Sequence, residues 1–219
     1  MKVLVFDTET TGIIKDTMTD LNDYPNIVQL SYIVYDTIKK NIVECCDFII
    51  NHKNKFKIPE ESTKVHGITN EISLKQGVSI KKALKSLLDS LNDVNYLVAH
   101  NLNFDKKMIE VELSRLGLDG PKMINKIIYN LEDFCTMNKS RSICKIDTGR
   151  KNTLGRTIYK NPKQSELHKH LFGTTPVNLH NSLNDVLVCL RCFIMLQFKR
   201  DVCDYSEELK LMLKSKVNI

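Results

Sequence analysis

What the sequence lacks narrows it first. No run of apolar residues approaches 18, which excludes a membrane-spanning helix. Asp7 arrives before any apolar stretch is long enough for a secretory leader, so an intracellular location is expected, cytoplasmic or nuclear and not secreted. The seven cysteines are odd in number, and their spacing gives no disulfide framework. Cys189 and Cys192 form a C-x-x-C, but inside an apolar helical run with no second pair at zinc spacing, so buried reduced thiols are the expectation. There is no internal repeat and no low-complexity tract. Acid is scarce in one place: from Lys139 to Lys163 eight Lys/Arg stand against the single Asp147. This segment is +7 in a chain of net charge +6, which leaves the rest near −1. Concentrated positive charge suits a polyanion; a solvated, partly mobile loop is the competing reading.

What is there suits one α/β domain. The 219 residues are 42% hydrophobic, enough for a proper core. Val3-Leu4-Val5-Phe6 reads as a strand buried on both faces. It continues into Asp7-Thr8-Glu9-Thr10-Thr11-Gly12. Alternation puts Asp7 and Glu9 on one face, roughly 6–7 Å of rise apart. Two like charges at the end of a buried strand repel, and desolvation pushes at least one toward neutrality. A divalent cation removes both problems, because Mg²⁺ and Mn²⁺ prefer hard oxygens; a strand end whose acids face water is the plainer alternative. Gly12 is expected to give a sharp turn and close approach to a ligand.

After a polar loop over 13–26, Ile27–Asp36 and Ile42–Ile50 complete a three-stranded antiparallel meander. Pro59-Glu60-Glu61-Ser62 suits the first turn of a helix that stops at His66-Gly67. Ser79–Val94 carries one apolar stripe and reads as a helix. Tyr96–His100 is a short strand, Leu102–Leu116 a helix closed by Gly117, and 127–135 a less regular strand. The basic segment follows, too polar for core. Helices are expected over Gln164–Phe172, Ser182–Lys199 and around Ser206–Lys214.

Three further residues stand out. Asp105, in the first turn of its helix, shares a stripe with Ile109, Leu113 and Leu116, and the free amides there favour its ionised form. Helix capping is the rival role, although Asn101 or Asn103 could already cap. Asp185 is the only carboxylate from 185 to 195, and burying it ionised without a partner would cost several kcal/mol. A capping box with Ser182 is its alternative. His180, placed in the loop after Pro176, stays wet and mobile and can swing over a site that Asp185 enters from the helix.

Together these residues resemble a known family. D-x-E-T-T-G at 7–12, H-G-I-T at 66–69, H-N-x-x-F-D at 100–105 and H-x-x-x-x-D at 180–185 are similar, in order and spacing, to the DEDDh 3′–5′ exonucleases, the group of polymerase proofreading subunits and RNase T. Phe134-Cys135-Thr136-Met137 and Leu171-Phe172-Gly173 also resemble family segments. The resemblance covers about residues 1–198. It implies an RNase H-like mixed five-stranded sheet, three antiparallel strands then parallel ones, flanked by helices. Residues 1–200 would form the exonuclease domain and 201–219 a C-terminal helical tail.

The resemblance makes Asp7, Glu9, Asp105 and Asp185 the metal carboxylates, holding two Mg²⁺ or Mn²⁺ ions. His180 matches the general base. Thr10, Glu61, His66, Asn101 and Phe104 match positions that touch the terminal nucleotide. The implied reaction is hydrolysis at 3′ ends to nucleoside 5′-monophosphates, with DNA slightly favoured, as in repair or replication proofreading. The basic 139–163 segment would hold upstream phosphates. Implied partners are single-stranded or frayed 3′ ends of DNA or RNA, with a polymerase as a possible further one, and no membrane. Two departures stand out: Asn181-Ser182-Leu183-Asn184 fills a spacer where small apolar residues are commoner, and 138–163 is longer and more basic than the pattern. The alternatives are an exoribonuclease trimming RNA, an inactive nucleic-acid-binding module, and a polymerase-docking module.

Overall fold

The strand β1 (Lys2–Thr10) forms the centre of a five-stranded sheet because Val3, Leu4, Val5 and Phe6 are buried on both sides. The computed structural model describes the backbone of residues 1–219 and all side chains except those of residues 127 and 128. β2 (Ile27–Asp36) pairs antiparallel with β1, and β3 (Asn41–Ile49) antiparallel with β2. On its other side β1 pairs in parallel with β4 (Tyr96–Ala99), which pairs in parallel with β5 (Glu132–Cys135). The order is β3-β2-β1-β4-β5, the expected RNase H-like mixed sheet.

Parity along β1 divides the core in two. Val3 and Val5 face a cluster with Ile33, Tyr35, Val98 and the long helix α8 (Ser182–Phe198). Leu4 and Phe6 face the opposite cluster, with α3 (Ile80–Ser90) and α4 (Leu102–Arg115). α8 is apolar almost all round because the sheet covers one side and α7 (Gln164–Phe172) and α9 (Glu207–Val217) cover others. Each fully buried Leu or Phe there contributes roughly 1.5–3 kcal/mol. Cys189 and Cys192 lie in this core as free, buried thiols. Leu209, Leu213 and Val217 of α9 enter the same core as Val3 and Val5. Among the described residues no helix is long and apolar enough to cross a membrane.

Several elements differ from expectation. α1 (Glu60–His66) ends where foreseen, at a left-handed Gly67 whose N–H donates to the Thr63 carbonyl. A further helix, α2 (Asn70–Gln76), follows at once, capped by the Thr69 hydroxyl. α3 stops at Ser90, although Leu91 and Val94 still pack in the core. The stretch over 127–135 is not one strand. α5 (Gly120–Ile128) occupies its start, launched by the Asp119 cap with proline in the first turn, and only Glu132–Cys135 pairs. The basic segment holds α6 (Thr136–Cys144) and a small antiparallel ribbon, β6 (Asp147–Lys151) and β7 (Thr157–Tyr159). Gly12 is not in the left-handed region, and a Cβ there would meet nothing, so the turn after β1 does not require glycine.

Candidate active site

β1 delivers Asp7 and Glu9 to the α8 side, on the same parity as Val3 and Val5. The pairing with β2 shifts between Glu9 and Thr10, an irregularity of the kind that re-aims side chains at the end of a strand. Ser182, at the start of α8, ties the helix to this strand end. Its hydroxyl donates to the Asp7 carbonyl at 2.6 Å and accepts from the Ser31 N–H at 3.1 Å. Its own N–H donates to Gln29 Oε1 at 3.2 Å. Asp185 follows within one turn, so its carboxylate meets the two from β1. Carboxylate oxygens of Asp7, Glu9 and Asp185 all lie within 4.8 Å of one another.

Asp185 has two attachments. One oxygen accepts from the His180 N–H at 2.7 Å, and Gln164 Nε2 donates to the Asp185 carbonyl at 2.7 Å and approaches the other carboxylate oxygen at 3.3 Å. Its bond from the His180 N–H holds the loop ahead of the N-cap and does not cap the helix, while its carboxylate faces two other acids. The cap itself is Asn181, not Ser182, and Ser182 is spent on the strands.

Asp105 reaches the same region from the α4 side. Its Oδ1 accepts from both the N–H and the hydroxyl of Thr8, at 3.0 and 2.8 Å, and its side chain is buried. It lies outside the group of three converging oxygens but within electrostatic reach of Asp7 and Glu9. The expected caps do not operate, since Asn101 makes no side-chain capping bond. Burial, then the Asp7 charge, raises its pKa well above the usual range, opposed by the Thr8 bonds.

The other acids behave alike. Burial raises Asp7 to about 7, against a lowering by Ser182. Burial, then the charges of Asp7 and Asp185, raise Glu9 to about 9. Burial and then Asp7 raise Asp185 well above the usual range, opposed by the His180 and Asn181 backbone. Burial and mutual repulsion favour the neutral form of all four carboxyls, and an added positive charge would offset both. Hard oxygen donors converging in this way fit a divalent cation.

Beside the His180 loop opens a cleft of about 460 Å³, lined by His66, Asn178, His180, Asn184 and Lys216 among others; none of the four acids lines it. His180 is exposed, with a left-handed backbone (φ 67°). Its loop is less loose than expected, because its backbone is held from three sides. Asn184 Nδ2 donates to the Asn178 carbonyl at 2.7 Å, Asn178 Nδ2 to the Lys216 carbonyl at 3.1 Å, and the Val177 N–H to the Val217 carbonyl at 3.1 Å. The end of α9 thus supports the histidine loop. His66 is buried; Nδ1 accepts from the Ile68 N–H at 3.0 Å. Its Nε2 makes no full hydrogen bond, although the Thr10 backbone lies close enough to oppose the lowering of its pKa by burial. Thr10 donates its hydroxyl to the Gly12 carbonyl at 2.6 Å.

His66 and His180 are therefore brought together, with Thr10 adjacent. Thr10, Glu61, Asn101 and Phe104, like the four acids, are not among the residues lining this cleft. Glu61 and Asn101 are exposed, and Phe104 packs against the α3–α4 core. A larger cavity of about 750 Å³ lies elsewhere, against His52, Lys55, Lys81 and Arg115, without the acids.

Sequence reasoning missed the supports. Gln164 holds Asp185, and His100 joins the walls. The Pro162 carbonyl only accepts, so His100 Nε2 carries the proton and Nδ1 accepts from the Thr136 hydroxyl. Burial lowers His100 to about 4, so the ring is neutral at physiological pH. Ser182 carried a signal, a polar residue in the H-x-x-x-x-D spacer. Gln164 carried none.

The mixed sheet with an acidic cluster at the end of its central strand defines a nuclease of RNase H-like architecture. The exonuclease model of the RNase T type matches residues 4–193, and the chain belongs to this family, the DEDDh-type 3′–5′ exonucleases. No curated protein matches it in sequence. Similar folds include E. coli exonuclease I in complex with a dT13 oligonucleotide, with TM-score 0.65 and 16% identity over 93% of this chain. Exonuclease I from Methylocaldum szegediense gives TM-score 0.64 and 14% identity over 98% of this chain. The chain spans less than half the length of these proteins, 43% and 42%.

Proposed function

We propose that the chain is a divalent-metal-dependent 3′–5′ exonuclease that releases nucleoside 5′-monophosphates, with DNA favoured over RNA. The observation that carries this is the convergence of Asp7, Glu9 and Asp185 within 4.8 Å in a member of an exonuclease family. Asp7, Glu9 and Asp185 would hold the metal, with Asp105 completing its surroundings. Two Mg²⁺ or Mn²⁺ ions held there would supply Lewis-acid activation and charge neutralisation for phosphodiester hydrolysis.

The remaining work belongs to side chains. His180, at the mouth of the cleft and free in its ring, accepts the proton of the attacking water. Asn178, Asn184 and the end of α9 set its position. His66 and the Thr10 turn face the terminal nucleotide and limit attack to a chain end, and Glu61, Asn101 and Phe104 act from outside the cleft only if substrate extends toward them. The nucleic-acid end is a single-stranded or frayed 3′ terminus.

The test is digestion of DNA and RNA labelled at the 5′ end, single- and double-stranded, with Mg²⁺, Mn²⁺ or chelator. A ladder shortening from the 3′ end, mononucleotide 5′-phosphates as product and silence in chelator are expected. Shortening from the 5′ end, endonucleolytic products or metal-independent cleavage would contradict the reading. Faster loss of RNA would make the chain an exoribonuclease.

A further inference from the structure

The ribbon β6–β7 has no part in the core. Every residue from 147 to 158 is exposed. A two-stranded hairpin in water is marginal by itself, and this one gives the domain no apolar packing. It is nonetheless well formed. Asn152 laces its tip: the side-chain oxygen accepts from the N–H groups of Leu154 and Arg156, and the main chain exchanges bonds with Gly155 and Arg156. Asp147, its one acid, accepts from the Gly149 N–H. Among the described residues Lys145, Arg150, Lys151 and Arg156 make no ion pair. At the tip Leu154 is 75% exposed.

The root of the ribbon is anchored to the wall of the acidic site. The Lys160 N–H donates to the Ile146 carbonyl, Lys160 pairs with Glu166 at 2.6 Å, and Arg141 donates to Asn161. Pro162 accepts from His100, and Gln164 holds Asp185. A ribbon of free positive charge, about 20 Å long by strand rise, thus springs from the segment that bonds to His100 and Asp185. Surfaces that hold single strands present aromatic platforms for stacking. Here the only aromatic is Tyr159, half-buried near the root. What the ribbon offers is guanidinium and ammonium groups along its length and an apolar tip. The major groove of B-form DNA admits a two-stranded ribbon, whereas that of A-form RNA is too narrow and deep. Apolar side chains at such tips unstack base steps.

We propose that the β6–β7 ribbon is an arm that grips duplex DNA behind the 3′ end being degraded, with Arg150, Lys151 and Arg156 on the phosphates and Leu154 against the bases. The proposal rests on the exonuclease reading for its geometry, since the duplex is the upstream part of the same substrate. It makes a frayed or mispaired duplex end the preferred substrate.

The test is fluorescence anisotropy in chelator, with duplex DNA bearing a short 3′ single-stranded end, the matched single strand, and the matched RNA duplex. The triple variant Arg150→Ala/Lys151→Ala/Arg156→Ala is expected to bind the DNA duplex on the order of tenfold or more weakly. Its log–log salt slope should fall by about 3, one per lost phosphate contact. Leu154→Ser should weaken the same duplex severalfold. Single-strand binding and metal-dependent hydrolysis of a dinucleotide should be unchanged. Unaltered duplex affinity and salt slope in the triple variant would overturn the proposal. So would equal losses on single strand and duplex, or equal binding of the RNA duplex. Anisotropy needs no turnover, so a wild-type chain that hydrolyses nothing would refute the exonuclease reading while leaving the binding comparison to judge the arm.

Discussion

The acidic cluster and the basic ribbon are opposites. The acidic cluster is half-buried, tied to β1, β2 and α8 by Ser182, Gln164 and the Asn181–Asn184 turn, and carries charges that repel one another. The basic ribbon is exposed, tied only at its root, and its charges point to solvent. Burial makes the difference. Acids at the end of β1 are held in a low-dielectric setting, where charge interactions are strong and a missing counter-charge is costly. Arginines on the ribbon lie in water, where each is worth little until a polyanion arrives. On the proposed reading, chemistry falls to the first region and recognition to the second.

Breaking the buried region should have the largest effect. Asp185→Ala or Asp105→Asn is expected to lower kcat on the order of 10³-fold or more with the fold intact, checked by circular dichroism and steady-state kinetics. Near-normal activity in either purified variant would contradict the site. His180→Ala should lose roughly 10²–10⁴-fold in rate while still binding metal. Asn184→Ala removes the bond to the Asn178 carbonyl. It should lower kcat about tenfold with KM nearly unchanged, since the loop carries a proton acceptor whose position sets efficiency.

The pH dependence of stability sharpens the contrast. Asp7 and Glu9 are raised to about 7 and about 9 in the folded chain. Raised carboxyl pKa values mean that the folded state binds more protons than the unfolded one. Their stabilising contribution is full below about pH 4 and is lost as pH rises through about 7 and then about 9. In chelator the Tm should therefore fall across that window after correction for other groups, and Mn²⁺ should restore it. The smallest effect belongs to the arm: its triple variant should move Tm by no more than about 2 °C, because it buries nothing.

Legibility followed the same division. Strand β1, the β2–β3 meander, α4 and α8 were readable, because burial on both faces or on one stripe leaves an unbroken apolar pattern. The acids at 7, 9 and 185 were readable because charge at the edge of such a pattern lacks another purpose. α2 and α6 were not read, although Thr69 is a start signal, because short helices with polar faces carry little periodicity; α5 was missed, despite the start signal Asp119-Gly120-Pro121, because the apolar pair at 127–128 reads equally as the start of a strand. The ribbon was invisible for a related reason: with no buried face there is no alternation to detect, and Gly149 interrupts what there is. Supporting contacts such as Gln164 to Asp185, and the end of α9 to the His180 loop, join segments distant in the chain and leave no local mark.

Calorimetric titration of Mn²⁺ into the purified chain at neutral pH, in two buffers of different ionisation enthalpy, addresses the acids most directly. Saturable binding with release of about one or more protons is predicted, because carboxyls held protonated by burial must ionise to ligate, and Asp7→Asn should abolish it. Absence of binding, or binding that Asp7→Asn leaves intact with no proton released, would contradict the account.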